Sequence, residues 1–206
     1  MNETGTLVKF GSAEHIRQML DVGVLYLNNL PYFWGVEDAA VRGDANDGVD
    51  ALHCGQKAQM FNKDGTEIPA DITSWILREH TDAEKKNLLC MYSLRESTSP
   101  IHDRVREFGD TALLFMQPQV FIDRLRAAVR REKLSAQGDL VEYVADNHTG
   151  DVGPFRKLAM FAWQAEWRFI VFNGPGGPLT INVGSLKDIA QMMPAHQLIE
   201  ETTNRK

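Results

Sequence analysis

The segment that most constrains the fold is EWRFIVF, Glu166–Phe172. Apart from one glutamate and one arginine it consists of aromatic and β-branched residues, which favour strands. A second run, LLCMYS at residues 88–93, is apolar enough to predict a buried strand. A chain with two such segments needs a sheet at the centre of its core.

The remaining segments are short, and predicted strands alternate irregularly with predicted helices. Further strands are predicted at 6–10, 24–27, 111–116, 140–144 and 179–183. Helices are predicted between Ser12 and Gly23, from Pro118 onward, and from Ser185 to about Pro194. This order favours an α+β domain over a regular succession of βαβ units.

Residues 35–70 have the composition of a loop. Gly and Asp are concentrated at 42–50, and residues 62–65 have the pattern of a turn. A long loop in a compact domain is usually functional or mobile, so this segment is a candidate lid over a cleft. The 206 residues therefore predict one domain, 1–206, with an insertion at 35–70. The GPGGP segment at 174–178 predicts a hairpin turn.

Charge and cysteine content narrow the function classes. Lys and Arg number 22 against 28 Asp and Glu, a net charge of -6, which argues against coating of duplex nucleic acid through bulk charge. Cys54 and Cys90 are too far apart to suggest a disulfide framework or a zinc knuckle. The first residues lack a signal-peptide pattern, and no apolar run reaches about 18 residues. We therefore expect a cytoplasmic protein without a membrane segment.

Common catalytic and metal-binding motifs are missing from the sequence. The histidines are scattered, and there is no HExxH, GxSxG, Walker or GxGxxG pattern, so no metal site is expected. Asp44, Asp47 and Asp50 lie close together on one predicted loop and could hold Mg²⁺. A metal-dependent nuclease or hydrolase is the weakest of the alternatives, because acidic Gly-rich loops are commonly solvated turns.

The segment WQAEWR at 163–168 places an amide and a carboxylate two residues apart. Side chains two apart on a strand share a face, so Gln164 and Glu166 could point into one cleft while Trp167 and Phe169 face the core. The simpler alternative is an edge strand on which Glu166 is ion-paired with an arginine.

Three separated motifs resemble the ADP-ribosyltransferase-like superfamily. They are the Lys9-Phe10-Gly11-Ser12 start before a helix, the strand ending in Tyr92-Ser93, and Gln164-x-Glu166. The order is also similar to that of DNA-modifying DarT toxins. An uncharacterised bacterial group shares its Cys-x-x-Ser strand and its Trp-x-x-Glu-Trp/Tyr-Arg strand.

This resemblance implies a single domain with a mixed or antiparallel split sheet and flanking helices. It implies an NAD-dependent ADP-ribosyltransferase in which Glu166 stabilises the oxocarbenium-like centre and Gln164 orients the acceptor. Lys9 or Arg42 would meet the pyrophosphate, and Tyr92 or Trp163 would stack on nicotinamide. The expected NAD contacts are Lys9, Ser12, Arg42, Tyr92, Ser93 and Trp163.

The resemblance also suggests the biological setting. The acceptor would be single-stranded DNA, RNA or a protein, and the enzyme would act as a toxin or phage-defence effector with an antitoxin or inhibitor. The basic stretch at 124–133 is a solvated helix face or a contact for a nucleic-acid backbone.

Two departures from the family pattern support a different function. Lys9 stands where the family has Arg or His, and the Ser-Thr-Ser run is missing at Ser93. The alternative is therefore a non-catalytic module that binds a nucleotide or a partner on a degenerate transferase fold.

Overall fold

An antiparallel sheet of eight strands forms the centre of the protein. The structure, a computed structural model, describes residues 4–35, 44–98 and 100–204. The strands are β1 (Thr6–Gly11), β2 (Val24–Asn29), β3 (Ala51–Gly55), β4 (Ala58–Phe61), β5 (Glu67–Ile72), β6 (Trp75–Glu79), β7 (Asn87–Leu94), β8 (Thr111–Phe115), β9 (Ser135–Leu140), β10 (Glu142–Val144), β11 (Gly150–Asp151), β12 (Arg156–Leu158), β13 (Glu166–Phe172), β14 (Leu179–Asn182) and β15 (Ala190–Pro194). The helices are α1 (Ala13–Val22), α2 (Leu30–Trp34), α3 (Pro118–Arg131) and α4 (Ala195–Thr203), and 3₁₀ turns cover Ala83–Lys85, Glu96–Thr98, Asp103–Phe108 and Ala159–Gln164.

The order of the main sheet is β14-β2-β7-β1-β8-β15; β13 pairs with the other side of β7, and β9 pairs with the outer side of β13. The prediction for Glu166–Phe172 is confirmed, and every residue of β13 but the last is buried. Because β13 pairs with both β7 and β9, the alternative that places Glu166 on an edge strand is wrong. The chain is thus an α+β domain, as predicted.

Strand β7 changes partners halfway along one of its sides. Its first two residues pair with β2, and its last three pair with β1. Along its other side it pairs with β13 from Asn87 to Tyr92. Residues 89–91 of β7 therefore face a space between β1 and β2, which we call the sheet gap.

The core lies on both faces of the sheet. One face packs against α1 and α3, and its buried residues include Leu7, Ile16, Met19, Leu89, Met91, Phe121, Leu125, Trp167 and Phe169. The other face contacts α4 and includes Val8, Phe10, Tyr92, Ala112, Ala195 and Leu198. Trp167 and Phe169 thus face the core, as expected.

Helix α1 forms where its sequence signals predict. The hydroxyl of Ser12 accepts a hydrogen bond from the His15 backbone N–H at 3.4 Å, which caps the first turn. Gly23 adopts a left-handed φ of 72° and donates its N–H to the Met19 carbonyl. The predicted start of α3 at Pro118 is also confirmed.

The interpretation of residues 35–70 as a loop is wrong for nearly half of their described part. Strands β3 and β4 and part of β5 lie there; β3 pairs with β6 and β11, and β4 pairs with β5. The turn at 62–65 is confirmed, with the Gly65 N–H donating to the Asn62 carbonyl at 2.9 Å. Strands β4 and β5 are largely exposed, so they lack the apolar pattern by which a strand is recognised.

The predicted helix from Ser185 to Pro194 is wrong. Residues 190–194 form β15, which pairs with β8, and the helix begins after Pro194 as α4. The capping spacing at Ser185 belongs to a turn, where its hydroxyl accepts from the Lys187 N–H at 3.4 Å. A proline suits a helix start better than a helix end, since its φ is already helical.

Two further local predictions need correction. The GPGGP segment is no hairpin turn, because β14 pairs with β2 whereas β13 pairs with β7 and β9. The predicted strand at 140–144 is interrupted at Val141, where β9 has ended and the short β10 follows. Among the helices that the structure describes, none combines the length and the apolar character needed to cross a bilayer.

Candidate functional site

A cavity of about 1030 Å³ lies at the sheet gap, with walls from β1, β2, β7 and α1. The predicted site residues that line it are Lys9, Ser12, Tyr92, Gln164 and Glu166. Within the described ranges, its lining includes neither Ser93 nor Trp163. Arg42 lies outside the described residues.

The walls of the cavity formed by β1 and α1 carry a cation and a helix N-terminus. Lys9 Nζ donates a hydrogen bond to the carbonyl of Cys90, one of the β7 residues that face the sheet gap, at 2.9 Å. Ser12 and His15, in the first turn of α1, also line the cavity. The positive end of the α1 dipole and the Lys9 ammonium therefore lie close to the same wall.

Tyr92 and Ser93 are both buried but differ in what they contact. Tyr92 lines the cavity, and its hydroxyl donates to the Thr98 carbonyl at 2.7 Å. Burial raises the pKa of this phenol above its ordinary value. The Ser93 hydroxyl donates to the Thr4 carbonyl at 2.6 Å, so Ser93 fastens the start of the chain to β7.

Trp163 packs in a separate aromatic group beside the cavity. Its ring stacks on Phe108 with centroids 5.5 Å apart, and the Arg104 guanidinium lies 4.3 Å from its centroid. This packing gives Trp163 a role in holding the turn at Asp103–Phe108 against the sheet.

Glu166 is held by two buried cations. Its Oε1 accepts from Lys157 Nζ at 2.9 Å, and its Oε2 accepts from Arg168 Nη2 at 2.8 Å and Nε at 3.2 Å. Glu166 is only 7% exposed and Arg168 is fully buried. The expected ion pair with an arginine is present, and a lysine shares the same carboxylate.

Arg168 is the centre of this buried cluster. Besides Glu166, its guanidinium donates to Asp47 through Nη1 at 2.7 Å and Nη2 at 3.2 Å. Nη1 also donates to the Pro154 carbonyl at 2.8 Å. These bonds use all five N–H donors of the guanidinium, so the buried charge is fully satisfied. We call Asp47, Lys157, Glu166 and Arg168 the charge cluster.

Gln164 reaches the charge cluster by a route that its spacing did not predict. It ends a 3₁₀ turn and is not part of β13, so the expected shared strand face is wrong. Ala165 adopts left-handed angles, φ 41° and ψ 50°, and thereby turns the chain into the strand. Lys157 Nζ then donates to Gln164 Oε1 at 2.7 Å. Left-handed non-glycine residues are uncommon and gather at functional sites.

The charge cluster keeps Glu166 ionised. Burial alone would raise the pKa of this carboxyl, but Lys157 and Arg168 outweigh burial and hold it well below its ordinary 4.5. In the same way burial would lower the pKa of Lys157, and the Asp47 and Glu166 carboxylates raise it instead. A carboxylate with so low a pKa is a weak general base but a permanent negative charge.

Two neighbouring groups respond to the buried Glu166 charge. Burial, together with Glu166, raises the pKa of the Cys90 thiol to about 12, so Cys90 is a neutral thiol on the cavity wall. The Tyr143 hydroxyl accepts from the Glu166 backbone N–H at 2.9 Å, and burial raises its pKa. Both groups are thus neutral at physiological pH.

Two of the three carboxylates considered for a metal are paired with cations. Asp47 pairs with Arg168, and Asp50 accepts from Lys86 Nζ at 2.8 Å. Burial and the Asp47 charge raise the pKa of Asp44. In the parts of the chain that the structure describes, no three His, Cys, Asp or Glu side chains are grouped to hold a metal ion.

Sequence inspection missed Lys157 altogether and separated the other members of the charge cluster. Asp47 was expected on an acidic loop, and the arginine expected to pair with Glu166 was not identified. The available signal is the segment FRKLAMFAW, where a lysine precedes a nearly continuous apolar run. A lysine in such a run has to be buried with a partner, because unpaired charges are almost never buried.

Part of the basic stretch at 124–133 has a structural role. Arg124 is ion-paired with Asp188 and donates to the Ser185 carbonyl at 3.0 Å. Arg131 donates to the Asn182 carbonyl at 3.0 Å. These bonds fasten α3 to the connection between β14 and β15, so the stretch is more than a solvated face.

Comparisons with protein-family models, with curated proteins and with solved structures found no match to this chain. Its function is therefore inferred from the cavity and the charge cluster.

Proposed function

We propose that the protein is an NAD-dependent ADP-ribosyltransferase whose substrate occupies the cavity at the sheet gap. The observation that carries the proposal is the ionised Glu166 carboxylate beside Gln164, on a cavity wall that also includes Lys9 and Tyr92. A volume of about 1030 Å³ is at the upper end of small-molecule sites, which suits a dinucleotide.

Two groups of lining residues suit two parts of the reacting half of NAD. A pyrophosphate would bind where the Lys9 ammonium and the N-terminus of α1 supply positive potential. Nicotinamide and its ribose would then lie toward Tyr92 and Glu166, with the Tyr92 ring offering a flat apolar contact.

Glu166 would act through its charge. When the nicotinamide–ribose bond breaks, nicotinamide leaves with the bonding electron pair and positive charge develops on the ribose ring. A fixed carboxylate stabilises that charge without having to reorganise. The acceptor then bonds to the anomeric carbon and loses its proton to solvent, while Gln164 orients it.

The test is label transfer from NAD to single-stranded DNA, RNA or lysate protein, with the acceptor class decided by which one becomes labelled. Glu166→Gln preserves size but removes the charge, so we expect transfer to fall by about a hundredfold or more. Glu142→Gln, at an exposed glutamate paired with Arg156, is the matched control and should retain full transfer. If the wild-type protein releases no nicotinamide with any acceptor, the proposal fails.

One observation favours a second candidate, a non-catalytic nucleotide-binding module. Both oxygens of Glu166 are engaged by Lys157 and Arg168, which neutralise much of its charge. A binding module would be stabilised thermally by NAD without releasing nicotinamide, because a ligand that binds only the native state raises stability. Melting curves with NAD, run beside the transfer assay, distinguish the two functions.

A further inference from the structure

Lys157 connects the two residues that the proposed reaction depends on. Its single ammonium donates to Gln164 Oε1 at 2.7 Å and to Glu166 Oε1 at 2.9 Å. An ammonium only donates hydrogen bonds, so the Gln164 oxygen has to face Lys157 and the amide nitrogen has to face away. Lys157 therefore determines which way the Gln164 amide points relative to the Glu166 carboxylate.

The ammonium itself has little freedom to move. Lys157 is 5% exposed, and its Nζ lies 4.9 Å from the centre of the Phe161 ring and 3.6 Å from Asp47 Oδ2. The backbone at Ala165 fixes where the Gln164 and Glu166 main chains lie, but a glutamine side chain retains three rotatable bonds. The hydrogen bond from Lys157 restricts this remaining freedom.

We propose that Lys157 is a positioning residue that holds the Gln164 amide at a fixed orientation to the Glu166 carboxylate, and so aligns the acceptor with the reacting ribose. This inference rests on the proposed function and adds a residue that acts only through Gln164 and Glu166. A positioning residue affects the chemical step more than substrate binding, because misplacement by about 1 Å can cost about a hundredfold in rate.

The test variant is Lys157→Met, which has similar length and no charge. Both Glu166 and Asp47 keep Arg168 as a partner in this variant, so no carboxylate of the charge cluster is left alone. We expect kcat to fall by about tenfold or more while KM for NAD stays within about threefold. Lys187→Met, which removes an exposed lysine paired with Asp21, is the control and should change neither constant.

A second readout does not depend on turnover. Carbon-13 NMR of the Glu166 carboxyl and of the Gln164 side-chain amide should show a higher Glu166 pKa and a displaced amide signal in Lys157→Met. If the wild-type protein transfers nothing, the proposed function fails, and this NMR comparison alone decides the positioning role. Unchanged signals at both residues would overturn it.

The kcat and KM measurements on Lys157→Met can also contradict the proposal. A higher KM with kcat unchanged would make Lys157 a substrate contact and would overturn the positioning role. If Lys157→Met does not fold, Lys157→Leu, which likewise has neither the charge nor a hydrogen-bond donor, is measured by the same two readouts with the same expected results.

Discussion

Replacing Asp47 by Asn should destabilise the protein far more than the same replacement at a surface ion pair. Asp47 is 3% exposed and receives two bonds from the fully buried Arg168. Asn has nearly the same shape and retains one acceptor oxygen, so the substitution removes the charge while it preserves the packing. What remains is an Arg168 guanidinium that has lost one of its two buried counter-charges.

The expected cost follows from this burial. Breaking a buried ion pair by removing one partner lowers the free energy of unfolding by about 3–5 kcal/mol. Because the Asn amide oxygen can still accept a hydrogen bond from Arg168, we expect Asp47→Asn to lie at the lower end of this range, about 3 kcal/mol. For a chain of 206 residues this corresponds to a fall in Tm of about 10 °C and in the urea midpoint of about 1 M.

Urea denaturation followed by tryptophan fluorescence measures this directly. Asp188→Asn is the control, because Asp188 is also paired with an arginine, Arg124, but its side chain is 58% exposed. Its midpoint should hardly change. If Asp47→Asn is no more destabilising than Asp188→Asn, the buried charge cluster does not stabilise the fold.

Three further outcomes are expected. The pKa of Glu166 is lower in the folded protein than its ordinary 4.5, so the ionised carboxylate stabilises the fold fully above pH 4.5 and loses this effect as the pH falls below it. The urea midpoint of the wild-type protein should therefore fall between about pH 6 and about pH 3. The midpoint of Glu166→Gln, which lacks this carboxylate, should fall less steeply over the same range. Iodoacetamide at about pH 7.5 should label the exposed Cys54 and spare the partly buried Cys90, because its thiol has a pKa of about 12 and the thiolate is the reactive form. Equal labelling of the two cysteines by mass spectrometry would contradict the raised pKa of Cys90. Gly23→Ala should lower the melting temperature more than Gly65→Ala does. Both glycines have positive φ, but of the two only Gly23 would place its new Cβ against a neighbouring backbone, at Gly184. Equal melting temperatures for the two variants would refute that close approach.

The parts of the fold that could be predicted are those determined by residues close together in the sequence. Ser12 and Gly23 mark both ends of α1, and the composition of Glu166–Phe172 marks β13. Strands β4 and β5 were not predicted because most of their residues face solvent. Without a buried face, their sequences show no alternation of apolar and polar residues. The order of strands in the sheet depends on partners distant in sequence, which no local pattern records.

The candidate site was predictable to the extent that it is local. Gln164 and Glu166 do come together at one wall, but through a left-handed Ala165 and a shared lysine, and not through strand periodicity. The contact between Asp47 and Arg168 joins residues 121 positions apart. Only the folded chain makes that contact, so the charge cluster could not be assembled from spacing.

The change of partners along β7 gives the sheet an uneven stiffness. The pair β2–β14 and the pair formed by β1 with β8 are both attached to β7, and in the described ranges no ladder of hydrogen bonds joins one pair directly to the other. A small rotation between them widens or narrows the sheet gap while every ladder bond is preserved. The Lys9–Cys90 bond joins β1 to the part of β7 that faces the gap, so it lies at the edge of the gap and does not tie β1 to β2. We therefore expect the width of the sheet gap to vary more readily than the spacing of strands that are joined by hydrogen-bond ladders.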